Sequence, residues 1–271
     1  MENEINHKAM FEGFQNTPLL WKSDTIIGLK QWRIDNTSKV FIPTSQHKAL
    51  RLGKWIEVYT SFQIREQSHA DILEENLQIK QEKQTIGELD LLLLKNKQPI
   101  HLEIAYKFYL YDTTKTYTND LERWIGPNRK DSFIYKIHKL KEKQLPLLYH
   151  YESAKMLENK GLKPEDFDQF VCFKAQLFLP YQQRSIDIAP LNKECIKGWC
   201  LSFNALHQLS TFKFHLVNKL DWLCRPKLDV DWLDYEQAQS AIASYMDRKQ
   251  SPLCWIKDQH KDLQKCFITW W

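Results

Sequence analysis

The stretch GELDLLLLKNKQPIHLEIAYKFYLY, residues 87–111, decides the fold because it predicts two β-strands joined by a tight turn. From Ile100 onward one set of alternate residues is almost wholly apolar, which is typical of a strand with one buried face. Upstream, Glu88 and Asp90 lead into four consecutive leucines, a run that indicates a strand covered on both faces. A carboxylate at the start of such a run is unusual, because a buried charge is costly unless it is paired.

The turn between these strands determines which residues face each other. With Asn96 and Lys97 in the turn, or with a four-residue loop that closes one pair earlier, Asp90 lies directly opposite Glu103. Opposed side chains of an antiparallel pair share a face, with Cβ atoms roughly 4.5 to 5.5 Å apart. Two like charges at that separation repel unless one is protonated or a cation lies between them.

A divalent cation, Mg²⁺ or Mn²⁺, is the cofactor that this arrangement predicts. Mg²⁺ usually takes only one or two protein carboxylates and completes its octahedral shell with water and substrate phosphate oxygens. Lys107 is on the same face as Glu103, two pleats further along the strand. Its Cα is therefore about 13 Å from that of Glu103, and its side chain would have to lean back to approach the metal.

An acidic residue on one strand followed by a Glu and a Lys on the next resembles the PD-(D/E)XK nuclease superfamily. The resemblance implies an α/β protein of the α+β type with a restriction-endonuclease-like core of helix, three antiparallel strands, helix and strand. Asp90 and Glu103 match the two carboxylates that hold the metal in that superfamily. The family usually places its Lys two residues after the Glu, where this chain has Ala105, so Lys107 is a displaced candidate for the catalytic lysine.

A helix is predicted over residues 45–66, because apolar residues recur there at three and four positions. Glu57 is in this helix. In the nucleases that the chain resembles, the first helix often contributes a Glu to the metal site, so the resemblance implies Glu57 as a third ligand and catalytic group. The alternative is an exposed helical Glu.

A longer similarity covers most of the chain. The segments GELD, HLEIAYKFYLY and WIGPNRKDSF, together with the sequence KLDWL at residues 219–223, resemble domain-of-unknown-function family 1853. This bacterial family is itself grouped by distant similarity with the nucleases named above. The resemblance therefore implies the same fold and a suspected hydrolytic chemistry.

The connection after Tyr111 and the helix that follows it carry side chains suited to nucleic acid. Guanidinium and ammonium groups bind phosphates, and aromatic rings stack on bases. We expect DNA rather than RNA as the partner. The alternative is a surface loop with one Trp in the core, followed by a solvated basic helix. The candidates are Arg123, Trp124, Asn128, Arg129 and Lys136.

Composition excludes several classes of protein. Of the 271 residues 43% are apolar and 13% aromatic, which indicates a folded globule, and a net charge of +4 is compatible with nucleic acid. Six cysteines without a C-x-x-C pair indicate buried thiols in a reducing cytoplasm. No signal peptide or membrane span is evident, and there is no Gly-rich phosphate loop, G-x-S-x-G or H-E-x-x-H motif.

The predicted organisation is three consecutive segments. Residues 1–43 cap the domain, residues 44–181 form the nuclease-like core, and residues 182–271 form a strand-rich C-terminal extension or a second small domain. A strand at residues 170–181 closes the core. The strands beyond it could extend the same sheet or form a second one, and the pattern does not decide between these.

The functional hypothesis is a Mg²⁺-dependent phosphodiesterase or nuclease. Its catalytic residues would be Asp90, Glu103, Lys107 and Glu57, of which the three carboxylates bind metal. One alternative is an inactive nuclease-like module that binds nucleic acid. The other is a structural or interaction protein in which the carboxylates pair with lysines.

Overall fold

The computed structural model describes residues 6–23, 27–44, 50–67, 70–181, 183 and 185–271. The protein is of mixed α/β type, and nine strands are present in the described residues. It forms two compact units, each built from separate stretches of the chain. The hairpin unit comprises Leu19–Tyr106 and Tyr135–Lys174, and the terminal unit comprises Met1–Pro18, Lys107–Ile134 and Ala175–Trp271.

The helices and strands are numbered here in chain order. The α-helices are α1 (His7–Gln15), α2 (Leu52–Arg65), α3 (Phe133–Lys139), α4 (Tyr151–Glu158) and α5 (Tyr235–Asp247). The strands are β1 (Ala70–Gln81), β2 (Gln84–Lys95), β3 (Gln98–Tyr111), β4 (Trp124–Ile125), β5 (Asp168–Pro180), β6 (Ile196–Ser202), β7 (Lys213–Leu216), β8 (Leu253–Lys257) and β9 (Leu263–Thr269).

In the hairpin unit, α2 precedes three antiparallel strands, β1, β2 and β3, and β5 follows β3 in the strand order. The predicted apolar stripe buries α2: Trp55 and Tyr59 are 1% and 0% exposed, and the ring of Phe41 packs edge-on against both. Of the helix predicted over residues 45–66, residues 45–49 lie outside the described residues.

A close approach of the chain explains Gly87 at the start of the quoted stretch. Between α3 and α4 the chain forms a π-helical turn, Leu140–Gln144, and a 3₁₀ turn, Leu145–Tyr149. A Cβ atom on Gly87 would lie 2.5 Å from the Cδ2 atom of Leu147, so a larger residue would displace the Leu147 side chain from β2. Residues of both elements, including Leu89 and Leu148, share one buried apolar cluster.

In the terminal unit, the later strands continue from the end of β5. Strand β6 pairs parallel with β5, β9 pairs parallel with β6, and β8 and β7 follow in antiparallel order. The sequence predicts strands at residues 199–203, 212–216 and 253–256 and a helix at residues 235–249, which correspond to β6, β7, β8 and α5. It does not predict β9. Helix α1 packs here as well, since a Cβ atom on Gly13 would lie 2.1 Å from the carbonyl oxygen of Leu223 in the KLDWL segment.

All six cysteines are free and buried, as predicted. Each therefore serves as a small apolar group of the core. Within the described residues, none of the helices combines the length and apolar character needed to span a membrane.

Candidate functional site

The β2–β3 hairpin has the predicted register. Lys95 faces Gln98, Leu91 faces Leu102, and the turn residues Asn96 and Lys97 have positive φ angles of 50° and 71°. Two successive positive φ angles are typical of a type I′ turn, which joins strands with the natural right-handed twist. This turn fixes Asp90 and Glu103 as the next two facing positions along the hairpin.

The two strands separate at these carboxyl groups. Pairing between β2 and β3 ends at Leu91 and Leu102, although β2 begins at Gln84. Beyond that point the Oδ2 atom of Asp90 accepts a hydrogen bond from the backbone N–H of Ile104 at 2.8 Å. The side chain of Asp90 thus takes the acceptor role that a β2 carbonyl would have in a continuing ladder.

Glu103 is fully buried and is held by neutral donors. Its Oε1 atom lies 3.0 Å from Nε2 of His101, and its Oε2 atom accepts a hydrogen bond from the amide of Gln144. The amide nitrogen of Gln169 donates to Nδ1 of His101 at 2.9 Å and to the carbonyl of Leu145 at 2.7 Å. Nδ1 therefore accepts, and the proton on Nε2 points at Glu103.

Burial controls the ionisation of this group. It raises the pKa of Asp90, and the neighbouring charge of Glu103 raises it further. Burial likewise raises the pKa of Glu103, while Lys136 acts in the opposite direction on both carboxyls. Burial lowers the pKa of His101 to about 4, so the imidazole is neutral near pH 7. The two carboxyl groups thus lie close enough for each to act on the pKa of the other.

Lys136 supplies the positive charge beside the pair. It is only 9% exposed, and its Nζ atom donates to the Oε1 atom of Gln144 at 2.7 Å. Gln144 thus bridges Lys136 and Glu103. The sequence predicts Lys136 as a contact to nucleic acid; the structure shows that it lies on α3 and that its charge acts on the carboxyl pair.

Glu57 lies near the pair but has its own partner. Lys54 donates to Glu57 at 2.7 Å and to Glu88 at 3.2 Å. Burial raises the pKa of Glu57, Lys54 opposes this, and the charge of Asp90 raises it further. Glu57 is therefore within electrostatic reach of Asp90, while its carboxylate is bound by Lys54. In the part of the chain that the structure describes, His, Cys, Asp and Glu residues do not form a metal-binding group of three or more.

Several residues of this network were not predicted from the sequence. Glu88 could have been found, since residues two apart on a strand share a face and Asp90 is already a candidate. The polar partners of Glu103 carry no signal of their own, because their meeting depends on how the turn after α3 packs on β3. These partners are His101, Gln144 and Gln169.

The displaced lysine, Lys107, forms an ion pair within the terminal unit. Its Nζ atom lies 2.6 Å from Oδ2 of Asp131. Ala105, at the position where the nucleases usually carry their Lys, is buried. No lysine is thus supplied at that position.

The other candidates for contact with nucleic acid also lie in the terminal unit. Trp124 is 1% exposed and packs edge-on against Tyr111, so it is a core residue. The side-chain oxygen of Asn128 accepts a hydrogen bond from the backbone N–H of Ser251. Arg123 pairs with Asp120 and lies over Tyr111.

Arg129 has a more unusual environment. It binds Asp112 and Thr114 through a single nitrogen, Nη2, and lies over the ring of Trp271.

The fold and the site together define a class of protein. It is a mixed α/β chain in which a buried Glu103 and a partly buried Asp90 meet where two strands of a hairpin separate, beside a lysine whose charge acts on both. This chain belongs to the family described as domain of unknown function (DUF1853), whose model matches residues 25–266. No curated protein and no solved structure shows significant similarity to it.

Proposed function

We propose that this protein is a phosphodiesterase that depends on a divalent metal and acts on nucleic acid, DNA rather than RNA. The observation that carries the proposal is the meeting of a fully buried Glu103 and a partly buried Asp90, whose charges act on each other. Such a pair of like charges is costly away from water. A cation bound between the two carboxylates would remove the repulsion between them.

The donor set fits Mg²⁺ or Mn²⁺. Mg²⁺ is commonly bound through one or two carboxylates, with water and phosphate oxygens filling the other positions. Asp90 and Glu103 would be these two ligands. Glu57 would join them only after releasing Lys54, which holds it at 2.7 Å.

The protein groups have distinct tasks in this mechanism. A bound Mg²⁺ would lower the pKa of a water molecule and polarise a phosphoryl oxygen. His101 and Gln144 each hold one oxygen of Glu103, so its carboxylate cannot rotate. Lys136 keeps a positive charge beside the pair, where negative charge would develop on the phosphate in the transition state.

Two further features support nucleic acid as the substrate. Lys139, on the next turn of α3, is exposed and its charge acts on Glu103. Helix α2, the three antiparallel strands, the helical segments and β5 follow one another in the order that the PD-(D/E)XK resemblance implies.

A second candidate function is a nuclease-like module that binds nucleic acid without cleaving it. The observation in its favour is the lysine position: Ala105 stands where the nucleases carry Lys, and Lys107 is bound to Asp131. In this case the carboxyl pair would bind no Mg²⁺ at millimolar concentration.

The decisive experiment compares wild type with Asp90→Asn and Glu103→Gln. Single- and double-stranded DNA and RNA are incubated with each protein and with Mg²⁺, Mn²⁺ or EDTA. Cleavage should require metal and both carboxylates. An exposed Glu in the same unit, changed by Glu165→Gln, is the matched control and should leave cleavage unchanged.

Calorimetric titration with Mg²⁺ separates the two candidate functions. Metal binding that disappears in Glu103→Gln supports the enzyme. Nucleic-acid binding without metal binding and without cleavage supports the inactive module. If wild type neither binds metal at millimolar concentration nor binds nucleic acid at low salt, both proposals fail.

A further inference from the structure

A cavity of about 260 Å³ lies in the terminal unit, apart from the residues of the carboxyl site. Three aromatic residues, Tyr111, Tyr181 and Trp271, line it together with the hydroxyl-bearing residues Thr114 and Ser202. Aromatic surface with a few hydrogen-bonding groups is typical of sites for flat, polar ligands. The volume is below the roughly 300 to 1,000 Å³ of pockets for drug-sized ligands, so a single ring system is the right size.

Ser202 offers this cavity a hydroxyl group that does not cap the helix that follows it. It immediately precedes the 3₁₀ helix Phe203–Leu209, a position where Ser commonly caps the helix. Its side chain makes no capping hydrogen bond. The hydroxyl can therefore donate to, or accept from, a ligand in the cavity.

Arg129 lies against two of the lining residues and holds them in place. Its Nη2 atom donates to Oγ1 of Thr114 at 2.6 Å and to Oδ2 of Asp112 at 2.8 Å, and its Cζ atom is 4.1 Å from the ring centroid of Trp271. Because Arg129 does not itself line the cavity, it acts by positioning Thr114 and Trp271.

Asp112 holds Arg129 in place. Burial alone would raise the pKa of Asp112, but hydrogen bonds from Tyr117 and Thr114, with the charge of Arg129, outweigh burial and lower it. The carboxylate therefore stays ionised, and the guanidinium is fixed beside the cavity before any ligand arrives. Such preorganisation reduces the entropic cost of binding.

We propose that this cavity binds one nucleobase, with its ring among the three aromatic side chains and Ser202 bonded to its edge, while Arg129 holds Thr114 and Trp271 in position. The nucleobase belongs either to a free nucleotide or to one residue of a strand. This site shares no residue with the proposed metal centre, and the proposal holds whether or not the chain cleaves nucleic acid.

The test uses 2-aminopurine, whose fluorescence is quenched when it stacks on an aromatic ring. The full chain in EDTA is titrated against 2-aminopurine riboside 5′-monophosphate and, separately, against a single-stranded DNA oligonucleotide that contains one 2-aminopurine. Saturable quenching is expected with at least one probe. Quenching by both assigns the site to nucleotides in general, and quenching of the oligonucleotide alone assigns it to a base of a strand.

Three variants examine the geometry. Ser202→Leu fills the cavity and should abolish quenching. Trp271→Ala should weaken binding by about fivefold or more, the lower end of base–aromatic stacking. Arg129→Lys should weaken it because the planar guanidinium that bonds Thr114 and lies over Trp271 is lost. The control Lys130→Ala removes an exposed charge from the same loop and should not change binding at moderate salt.

The inference is overturned if neither probe saturates at about 1 mM, which corresponds to very weak binding. It is also overturned if folded Ser202→Leu and Arg129→Lys, checked by circular dichroism, bind as tightly as wild type. Asp90→Asn should bind the probe normally, so failure here is distinguishable from failure of the proposed phosphodiesterase.

Discussion

The side chain of Asp90 accepts a hydrogen bond from the backbone N–H of Ile104, the residue that follows Glu103 on the neighbouring strand. This bond ties one carboxylate to the strand that carries the other, so the pair moves as one body. A substitution that removes either side chain therefore changes the end of the hairpin as well as the proposed chemistry. Activity and stability have to be measured together for every variant of this site.

Two lysines are candidates for the positive charge that assists catalysis. The sequence favours Lys107, whereas the structure favours Lys136 because its charge acts on the carboxyl pair. Lys136→Met should lower the rate of cleavage by at least about tenfold, because it removes the charge beside the carboxyl pair. Lys107→Met breaks a partly exposed ion pair with Asp131 and should change the rate little. Single-turnover cleavage of one oligonucleotide measures both. A greater loss with Lys107→Met would restore the sequence-based assignment.

His101→Ala should destabilise the protein. Without the imidazole, Oε1 of Glu103 and the amide nitrogen of Gln169 each lose one hydrogen bond. Water cannot replace these bonds easily, because His101 and Glu103 are both 0% exposed. Each unsatisfied buried polar group costs about 1 to 3 kcal/mol, before the cavity left by the ring is added. Urea unfolding, monitored by circular dichroism, measures the change in the free energy of unfolding. The exposed His138, changed to Ala, is the control and should lose well under 1 kcal/mol.

Lys265 makes the stability of the protein depend on pH. It is 5% exposed, donates to Gln176 and to the carbonyl of Trp222, and burial lowers its pKa to about 7. Because the unfolded chain keeps the ordinary pKa near 10.5, the unfolded state binds more protons between pH 7 and 10. The contribution of Lys265 to the free energy of unfolding therefore rises across this range, by at most about 1.4 kcal/mol per pH unit.

Lys265→Met tests this linkage. The difference in unfolding free energy between wild type and variant, measured at pH 7, 8 and 9, should move in favour of wild type as the pH rises. Taking the difference cancels the titration of groups that both proteins share. A difference that stays constant over these pH values would show that Lys265 is charged in the folded protein.

Replacing a helical glycine by alanine should change the stability of the protein in opposite directions at two positions, Gly13 and Gly53. A Cβ atom on Gly13 would lie 2.1 Å from the carbonyl oxygen of Leu223, so Gly13→Ala must push α1 away from that segment and destabilise the fold. Around Gly53 nothing lies within 4 Å of the added atom. Gly53→Ala should therefore stabilise α2 by about 0.5 to 1 kcal/mol, since alanine is the better helix former. Thermal unfolding of the two variants measures both effects, and equal shifts would contradict the packing described.

The hairpin was predictable because its information is local. The alternation after Ile100, the leucine run and the two turn residues fix the register, and the register places Asp90 opposite Glu103. The apolar stripe of α2 is local in the same sense, since helical spacing alone defines its buried face.

The remainder of the site depends on contacts between distant residues. Gln144 and Gln169 reach Glu103 and His101 across separations of 41 and 68 residues, which no local pattern reveals. Strand β9 was missed because Gln264 and Lys265 interrupt its apolar run, and Lys265 is polar in sequence yet buried in the fold. The compact units are likewise discontinuous in the chain, and a pattern along consecutive residues does not reveal which distant stretches pack together.

The π-helical turn Leu140–Gln144 limits where insertions and deletions can occur in this chain. A π turn contains one residue more than the α-helical turn it replaces, and it is equivalent to a single-residue insertion. Deleting one residue here would restore regular helix and rotate Gln144 by about 100° relative to Lys136. The amide could then no longer join the lysine to Glu103. Relatives that keep this chemistry should therefore tolerate insertions and deletions on either side of this turn but not within it.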